Sequence, residues 1–138
     1  MKEILYRAKA INRDTGYHRT KYKNGDWVYG LIIKPYYDNF PTSPMEMRNT
    51  DGINGINVDY KTVCEFTGLT DKNGKKIFEG DILKVWYSSV EIDGFFENLE
   101  VYYSEEYAQY RAGYKDLYEV ASSSEVIGNI FDKGNENE

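Results

Sequence analysis

Three carboxylates lie near the middle of the chain, at Asp71, Glu79 and Asp81. Two carboxylates held close together can act as a general acid and base, or can bind a hard cation such as Ca²⁺. No EF-hand spacing and no phosphate-binding glycine loop accompanies them. Asp71 stands at the start of a turn sequence, and Asp81 follows Gly80 before an apolar run, positions where a carboxylate accepts backbone N–H bonds. The structural interpretation is therefore favoured, and we expect neither a metal ion nor a catalytic carboxylate.

The other candidates for chemistry are single residues, since the chain has one histidine, His18, and one cysteine, Cys64. His18 lies in a polar, turn-like segment, which is typical of a solvated loop histidine rather than of a general base. Cys64 falls in a predicted strand over 62–66, where a small buried residue is expected, and a nucleophilic thiol would need an activating base. These two residues do not supply the ligands of a structural zinc site. We therefore predict no catalytic residue and no cofactor, and expect a protein that is not an enzyme.

Three glycines spaced six residues apart, Gly68, Gly74 and Gly80, divide the central stretch into short runs rich in β-branched and aromatic residues. This pattern predicts a tight antiparallel β-meander. Asn73-Gly74 is the strongest turn signal, because Asn tolerates and Gly favours the positive φ that a hairpin turn requires.

The run that follows Gly80 predicts which side chains face the core. Alternation along this strand places Leu83, Val85 and Tyr87 on one face of the sheet. The opposite face carries Ile82, Lys84 and Trp86. The first face is the better candidate for the core.

The N-terminal half predicts further short strands. A first strand is expected over 4–11, and a second Asn-Gly turn, at Gly25, predicts a hairpin of 17–23 with 27–33 that Pro35 ends. From 35 to 57, prolines and glycines with Asn and Asp between them predict a long irregular connection. We interpret it as a variable surface insertion rather than a functional loop. Strand is expected again over 58–66.

The C-terminal half continues in the same way. The segment 104–113 fits either a short helix capped by Ser104 or an aromatic strand, and strand is favoured because so short a helix gains little on its own. The other predicted elements are a hairpin of 88–92 with 95–103 around Asp93-Gly94, a strand over 116–120, a turn at 122–124 and a final strand over 125–131.

The composition is that of a small folded protein. With 138 residues, 14 Tyr, 6 Phe, 2 Trp and a net charge of −6, the chain is expected to form one β domain over 1–131. The polar tail over 132–138 has no apolar side chain to bury and is predicted to be disordered. One cysteine excludes an intrachain disulfide and fits a reducing compartment, and no apolar run has the length of a signal peptide or a membrane span. We therefore expect a cytoplasmic location and no membrane partner.

Three blocks of sequence carry a resemblance to a known family. The run FTGLTDKNGKKIFEGDI over 66–82, with NGDWVYG over 24–30 and EVIGNIF over 125–131, resembles the YopX family of small proteins carried by phages and prophages. Cys64-Glu65 stands where many relatives have Gly-Gln, and the segment 12–20 is longer than is usual there. The resemblance implies a predominantly β fold and a phage or prophage setting in a bacterial host. It assigns no activity and no functional residue.

The expected fold is mainly β, with one short helix as the alternative: an antiparallel meander of short strands that forms a partly open barrel. Such a barrel leaves a strand edge that a protein must blunt or use, and aromatic residues are favoured at protein interfaces. We therefore predict a binding or assembly protein that docks onto a protein partner or forms a homo-oligomer. The candidate interaction surface consists of Trp86, Tyr87, Tyr102 and Tyr103.

The alternative function is the binding of single-stranded nucleic acid by a small β-barrel with aromatic platforms and a basic groove. Residues 1–34 carry eight Lys or Arg against three Asp or Glu, whereas residues 61–138 carry eight against sixteen. The net negative charge of the whole chain disfavours phosphate contacts. The residues that suggest this alternative are Trp27, Tyr29 and Tyr22, with Arg7, Arg13, Arg19, Lys21 and Lys23 near them in sequence. An enzyme is the third and weakest interpretation.

Overall fold

A computed structural model of the protein describes residues 2–12, 21–36 and 44–132. Over these residues the chain is built mainly of β-strands, and every strand pairing is antiparallel. The mainly β, antiparallel prediction is confirmed. In chain order the strands are β1 (Tyr6–Lys9), β2 (Trp27–Lys34), β3 (Met45–Asn49), β4 (Ile56–Val58), β5 (Cys64–Thr70), β6 (Lys76–Phe78), β7 (Asp81–Tyr87), β8 (Phe95–Ser104), β9 (Gln109–Ala112), β10 (Lys115–Asp116) and β11 (Glu125–Asn129).

Helical structure in the described residues is short. One α-helix, α1 (Leu117–Val120), and two 3₁₀ turns, Tyr60–Thr62 and Ala121–Ser123, interrupt the strands. None of the helices in this part of the chain has the length and apolar character needed to cross a membrane.

The chain divides into two compact units, which we call the N-terminal unit (Glu3–Glu65) and the C-terminal unit (Met1–Lys2 with Phe66–Glu138). Strand β5 runs from one into the other. Its first residues pair with β1, and its later residues pair with β6. The prediction of a single domain is not tested by this division and stays a prediction.

In the N-terminal unit the strands are ordered β4-β3-β2-β1-β5. An isolated antiparallel bridge joins Ala10 to Val58, and the Ile11 N–H donates to the Asn57 carbonyl at 2.8 Å beside it. The sheet therefore curls until β4 meets the end of β1, and the contact is one bridge rather than a closed barrel. The core lies inside this curl and consists of Ala8, Ala10, Val28, Met47, Ile56 and Val58.

In the C-terminal unit the main sheet is ordered β10-β9-β8-β7-β11, with β5 and β6 paired beside one another in the other sheet. Leu83 and Val85 are buried, as the alternation along β7 predicts, and Trp86 is exposed. The core of this unit consists of Ile77, Leu83, Val85, Leu99, Val101, Ala112, Leu117 and Ala121.

Three of the predicted glycine turns are confirmed, at Gly25, Gly74 and Gly80, whereas Gly68 lies inside β5 at an irregularity in its pairing with β6. Gly25, Gly68, Gly74 and Gly80 all have positive φ, at 91°, 88°, 79° and 88°. At Gly74 the N–H donates to the Asp71 carbonyl at 3.0 Å, which closes the turn between β5 and β6. The meander itself is only half right, because β6 pairs with β5 whereas β7 pairs with β8 and β11. A turn sequence fixes the local reversal, but the sheet that the next strand joins depends on packing.

Two predictions in the N-terminal half are wrong. The described hairpin partner of β2 is β1, not 17–23; residues 13–20 lie outside the described part, and 21–23 form no strand. The segment 35–57 is not wholly irregular, because it contains β3 and the start of β4, while 37–43 lie outside the described part. Residues of weak β preference form β3 because Met47 packs in the core opposite β2.

Further corrections fall in the C-terminal half. Residues 88–94 are a loop between β7 and β8 rather than a strand. The segment 116–120 becomes α1, because the Asp116 side chain caps it by accepting the Tyr118 N–H at 2.9 Å. In 104–113 the helix alternative is wrong, and the strand prediction is right only in part, because Ser104 ends β8, 105–108 form a turn and Gln109–Ala112 form β9. The last strand ends at Asn129, and the tail over 133–138 lies outside the described residues.

Candidate functional site

Both oxygens of the Asp71 carboxylate accept hydrogen bonds from backbone N–H groups. Its Oδ1 accepts the N–H groups of Asn73 and Lys75, both at 2.9 Å, and its Oδ2 accepts the Val126 N–H at 3.0 Å. Burial acts to raise the pKa of Asp71, but the three backbone donors and the nearby Lys75 charge outweigh it, so the pKa lies below its usual value. The prediction that Asp71 opens a turn is confirmed.

Asp81 accepts a backbone N–H bond at the start of a strand, as predicted. Its side chain is buried at the start of β7, and Oδ2 accepts the Phe78 N–H at 2.8 Å. A carboxylate therefore closes the turn at Gly80, as the sequence predicts. Among the described residues no three side chains of the His, Cys, Asp and Glu types are grouped so that they could hold a metal ion.

Cys64 is a buried strand residue. Its Sγ lies 3.3 Å from the Thr62 carbonyl oxygen, to which the thiol donates. His18, the one histidine in the sequence, lies outside the described residues. The environment of Cys64 is that of a packed thiol rather than an exposed nucleophile.

The four aromatic residues of the predicted interaction surface do not form one surface. Trp86 pairs with Phe96 across β7 and β8, and Tyr87 pairs with Phe95, so Trp86 and Tyr87 point to opposite faces of the sheet. The same alternation along β8 separates Tyr102 from Tyr103. Trp86 and Tyr102 share the face opposite the buried Leu83, Val85, Leu99 and Val101.

Around Trp86 the structure shows a concentration of exposed apolar side chains at the end of the β7–β8 hairpin. We call this surface the hairpin end, and it consists of Trp86, Val90, Ile92 and Phe96. Trp86 is 50% exposed and Phe96 56%, and Val90 and Ile92 are exposed in the connecting loop. Large apolar side chains grouped in this way on a protein surface mark an interaction site more often than scattered ones do.

Trp86 is held in place although half of its surface is open. Its ring centroid lies 4.8 Å from that of Phe96 in an edge-to-face arrangement. On Gly94 a Cβ atom would lie only 1.8 Å from Trp86 Cζ2, so the indole occupies the space that a side chain there would fill. The Lys84 ammonium lies 4.3 Å from the Phe96 centroid. Strand pairing, a glycine and a cation therefore fix the two rings.

Comparison with known proteins now gives the family. A family model described as YopX protein matches residues 6–135, nearly the whole chain. The chain belongs to the YopX family. This confirms the resemblance carried by the three sequence blocks, all of which fall within the match. A search of curated proteins finds no match.

A polar cluster that the sequence did not predict lies on the face of the C-terminal sheet that carries Tyr87. The Tyr114 hydroxyl lies 2.6 Å and 2.7 Å from the two carboxylate oxygens of Glu97 and donates to that carboxylate. This hydrogen bond raises the pKa of Tyr114 to about 12. The Lys115 ammonium lies 3.9 Å from Glu97 and 4.7 Å from the Tyr87 ring centroid. The pairing of β8 with β7 and β9, and of β9 with β10, brings these residues together, and local sequence does not reveal these registers.

The structure brings together only some of the residues that suggested nucleic-acid binding. Trp27 and Tyr29 lie on one face of β2, with the Arg7 guanidinium 4.6 Å and the Lys9 ammonium 4.9 Å from the Trp27 ring. Tyr22 is separate, because its hydroxyl accepts from Asn49 at 2.9 Å and its ring packs on the core. Lys21 is paired with Asp51 at 3.0 Å, Lys23 is exposed on the loop before β2, and Arg13 and Arg19 lie outside the described residues.

Proposed function

We propose that this YopX-family protein is a non-enzymatic binding protein that docks onto a protein partner through the hairpin end. The observation that carries the proposal is Trp86, which is 50% exposed yet held between Phe96 and Gly94. Tryptophan is among the residues that contribute most to protein–protein affinity when a partner covers them. A ring that is already fixed loses little conformational freedom on binding.

The chemistry of the remaining side chains supports a binding role over catalysis. Asp71 and Asp81 accept backbone N–H bonds, and Cys64 donates to a carbonyl in a buried strand. An enzyme site needs titratable groups that converge on a pocket. The family resemblance supports a phage or prophage setting, and the single cysteine fits the reducing cytoplasm of a bacterial host.

Nucleic-acid binding is the less supported function. Its best aromatic residue, Trp27, already has two cations of the same chain over its ring. Arg7 is buried, so its charge is poorly placed to meet phosphates.

Affinity capture from prophage-bearing cells tests the proposal with three tagged forms of the full chain: wild type, Trp86→Ala and Tyr107→Ala. Tyr107 is a matched control because it is 57% exposed and lies in the turn at the opposite end of β8. We expect a protein that wild type and Tyr107→Ala retain and that Trp86→Ala loses. Light scattering coupled to size exclusion shows whether that protein is a second copy of the chain.

Retention that is equal in all three forms would overturn the role of the hairpin end. Loss of every captured partner on nuclease treatment would instead favour the nucleic-acid function.

A further inference from the structure

We infer that the partner surface that covers the hairpin end is apolar at its centre and cationic at its rim. This inference rests on the proposed function, because it names the chemistry of the partner at the same site. It is carried by the position of acidic side chains among the apolar ones.

Carboxylates alternate with apolar side chains in the loop of the hairpin end. Val90, Glu91, Ile92 and Asp93 are consecutive, and all four are exposed. Between Glu91 and Glu106 the sequence has six acidic residues and no Lys or Arg. A partner that covers Val90 and Ile92 must therefore also approach the carboxylates beside them.

Two lysines lie beside aromatic rings of the β7–β8 hairpin. Lys84 lies over the Phe96 ring, and Lys115 lies over the Tyr87 ring and within 3.9 Å of Glu97. No described Lys or Arg forms an ion pair with Glu91 or Asp93. The loop side of the hairpin end, at Glu91 and Asp93, is therefore negative in the free protein, whereas Lys84 keeps its positive charge beside Phe96.

Desolvation decides what kind of partner fits. Covering a carboxylate with an uncharged apolar surface costs free energy, because the ion loses water and gains no partner. An anionic surface adds repulsion. Lys or Arg side chains around an apolar centre avoid both effects and also raise the association rate at low salt.

Model peptides of one length test the charge preference directly. We use amphipathic helical peptides in which Leu forms one face and Lys, Gln or Glu forms the other, and measure binding to the full chain by titration calorimetry at low salt. We expect the Leu/Lys peptide to bind at least about tenfold more tightly than the Leu/Gln peptide, and the Leu/Glu peptide to bind most weakly.

Substitutions in the protein show where the Leu/Lys peptide binds. Trp86→Ala should weaken the Leu/Lys peptide by about tenfold or more, as expected for an aromatic anchor. The double variant Glu91→Gln, Asp93→Asn should weaken it by about threefold to tenfold and reduce its salt dependence. Its matched control is Glu105→Gln, Glu106→Gln, which removes two exposed carboxylates beside Tyr107 at the far end of β8 and should change the affinity by less than about twofold.

Three results would overturn the inference. If the control double variant weakens binding as much as the hairpin variant, the peptide senses only the net charge of the protein. If the Leu/Gln peptide binds as tightly as the Leu/Lys peptide, the partner need not be cationic, and the proposed protein-binding function stands. If vesicles of anionic lipid bind the protein through Trp86 and the Leu/Lys peptide does not, the occupant is a membrane. The proposed function itself fails separately, when capture from cells does not depend on Trp86.

Discussion

Val126 donates its backbone N–H to Asp71 Oδ2 across 3.0 Å, and so ties β11 to the turn after β5 although the two residues are 55 positions apart. The other carboxylate oxygen holds that turn closed through Asn73 and Lys75. One buried side chain thus serves a local turn and a distant strand in the C-terminal unit.

Asp71→Asn should therefore destabilise the protein by about 1–3 kcal/mol, because an amide cannot replace all three charge-assisted bonds. The folded pKa of Asp71 lies below the unfolded one, so its contribution is present above the unfolded pKa of about 3.9 and is lost as pH falls through the folded value. Urea unfolding of wild type and Asp71→Asn from pH 7 to pH 3 measures this. The difference in unfolding free energy between wild type and Asp71→Asn should decrease towards acid pH. A difference that does not change with pH would show that the ionised Asp71 carboxylate does not provide this stability.

Gly74→Val should destabilise the protein by about 1 kcal/mol or more. Gly74 has φ of 79° and open space around its Cβ position, so the penalty is backbone strain rather than a clash. Gly128→Val is the matched control, because a Cβ there is equally unobstructed and Gly128 is not among the glycines of positive φ. The midpoint of denaturant unfolding should fall for Gly74→Val and change little for the control. Equal shifts would remove the turn explanation.

Gly30→Ala should destabilise for a different reason. A Cβ on Gly30 would lie 1.9 Å from the Arg48 carbonyl oxygen on the paired strand β3, so backbone has to move. Overpacking of this kind typically costs about 1–3 kcal/mol. Hydrogen exchange should show the amides of β3 exchanging faster in the variant. Unchanged protection of β3 would show that the strands tolerate the added atom.

Turn chemistry was the part of the fold that the sequence could predict. Gly74 and Asp81 act within a few residues of their partners, so their roles follow from local geometry. Strand β3 could not be predicted, because Met45–Asn49 has weak strand preference and depends on pairing with β2 and on the missing side chain at Gly30.

The candidate site was predictable only in part. Trp86 could be assigned to the exposed face from alternation, as could the burial of Leu83 and Val85. The contacts that hold the Trp86 ring, made by Phe96 and at Gly94, depend on the register between β7 and β8. The predicted interaction surface groups Tyr87 with Trp86 and Tyr103 with Tyr102, although alternation along each strand alone places the members of each pair on opposite faces.

Glu97→Gln should lower the pKa of Tyr114 from about 12 towards its ordinary value of 10. The Glu97 carboxylate accepts the Tyr114 hydroxyl and opposes a second negative charge beside it, so both effects favour the neutral phenol. Absorbance at the tyrosinate wavelength, titrated for wild type, Glu97→Gln and Tyr114→Phe, isolates this group. A wild-type titration of Tyr114 near 10 would show that the bond does not form in solution.

Gly94→Ala should weaken partner binding without lowering the stability of the protein. The added Cβ would meet Trp86 Cζ2 at 1.8 Å, but the obstacle is an exposed side chain that can rotate rather than backbone. We therefore expect the unfolding midpoint to change little, while the near-ultraviolet circular dichroism of the edge-to-face pair of Trp86 and Phe96 weakens. Capture of the protein partner should fall nearly as far as with Trp86→Ala, because the ring remains present but is no longer fixed in position. Undiminished capture with an altered Trp86 spectrum would show that the partner does not require this orientation.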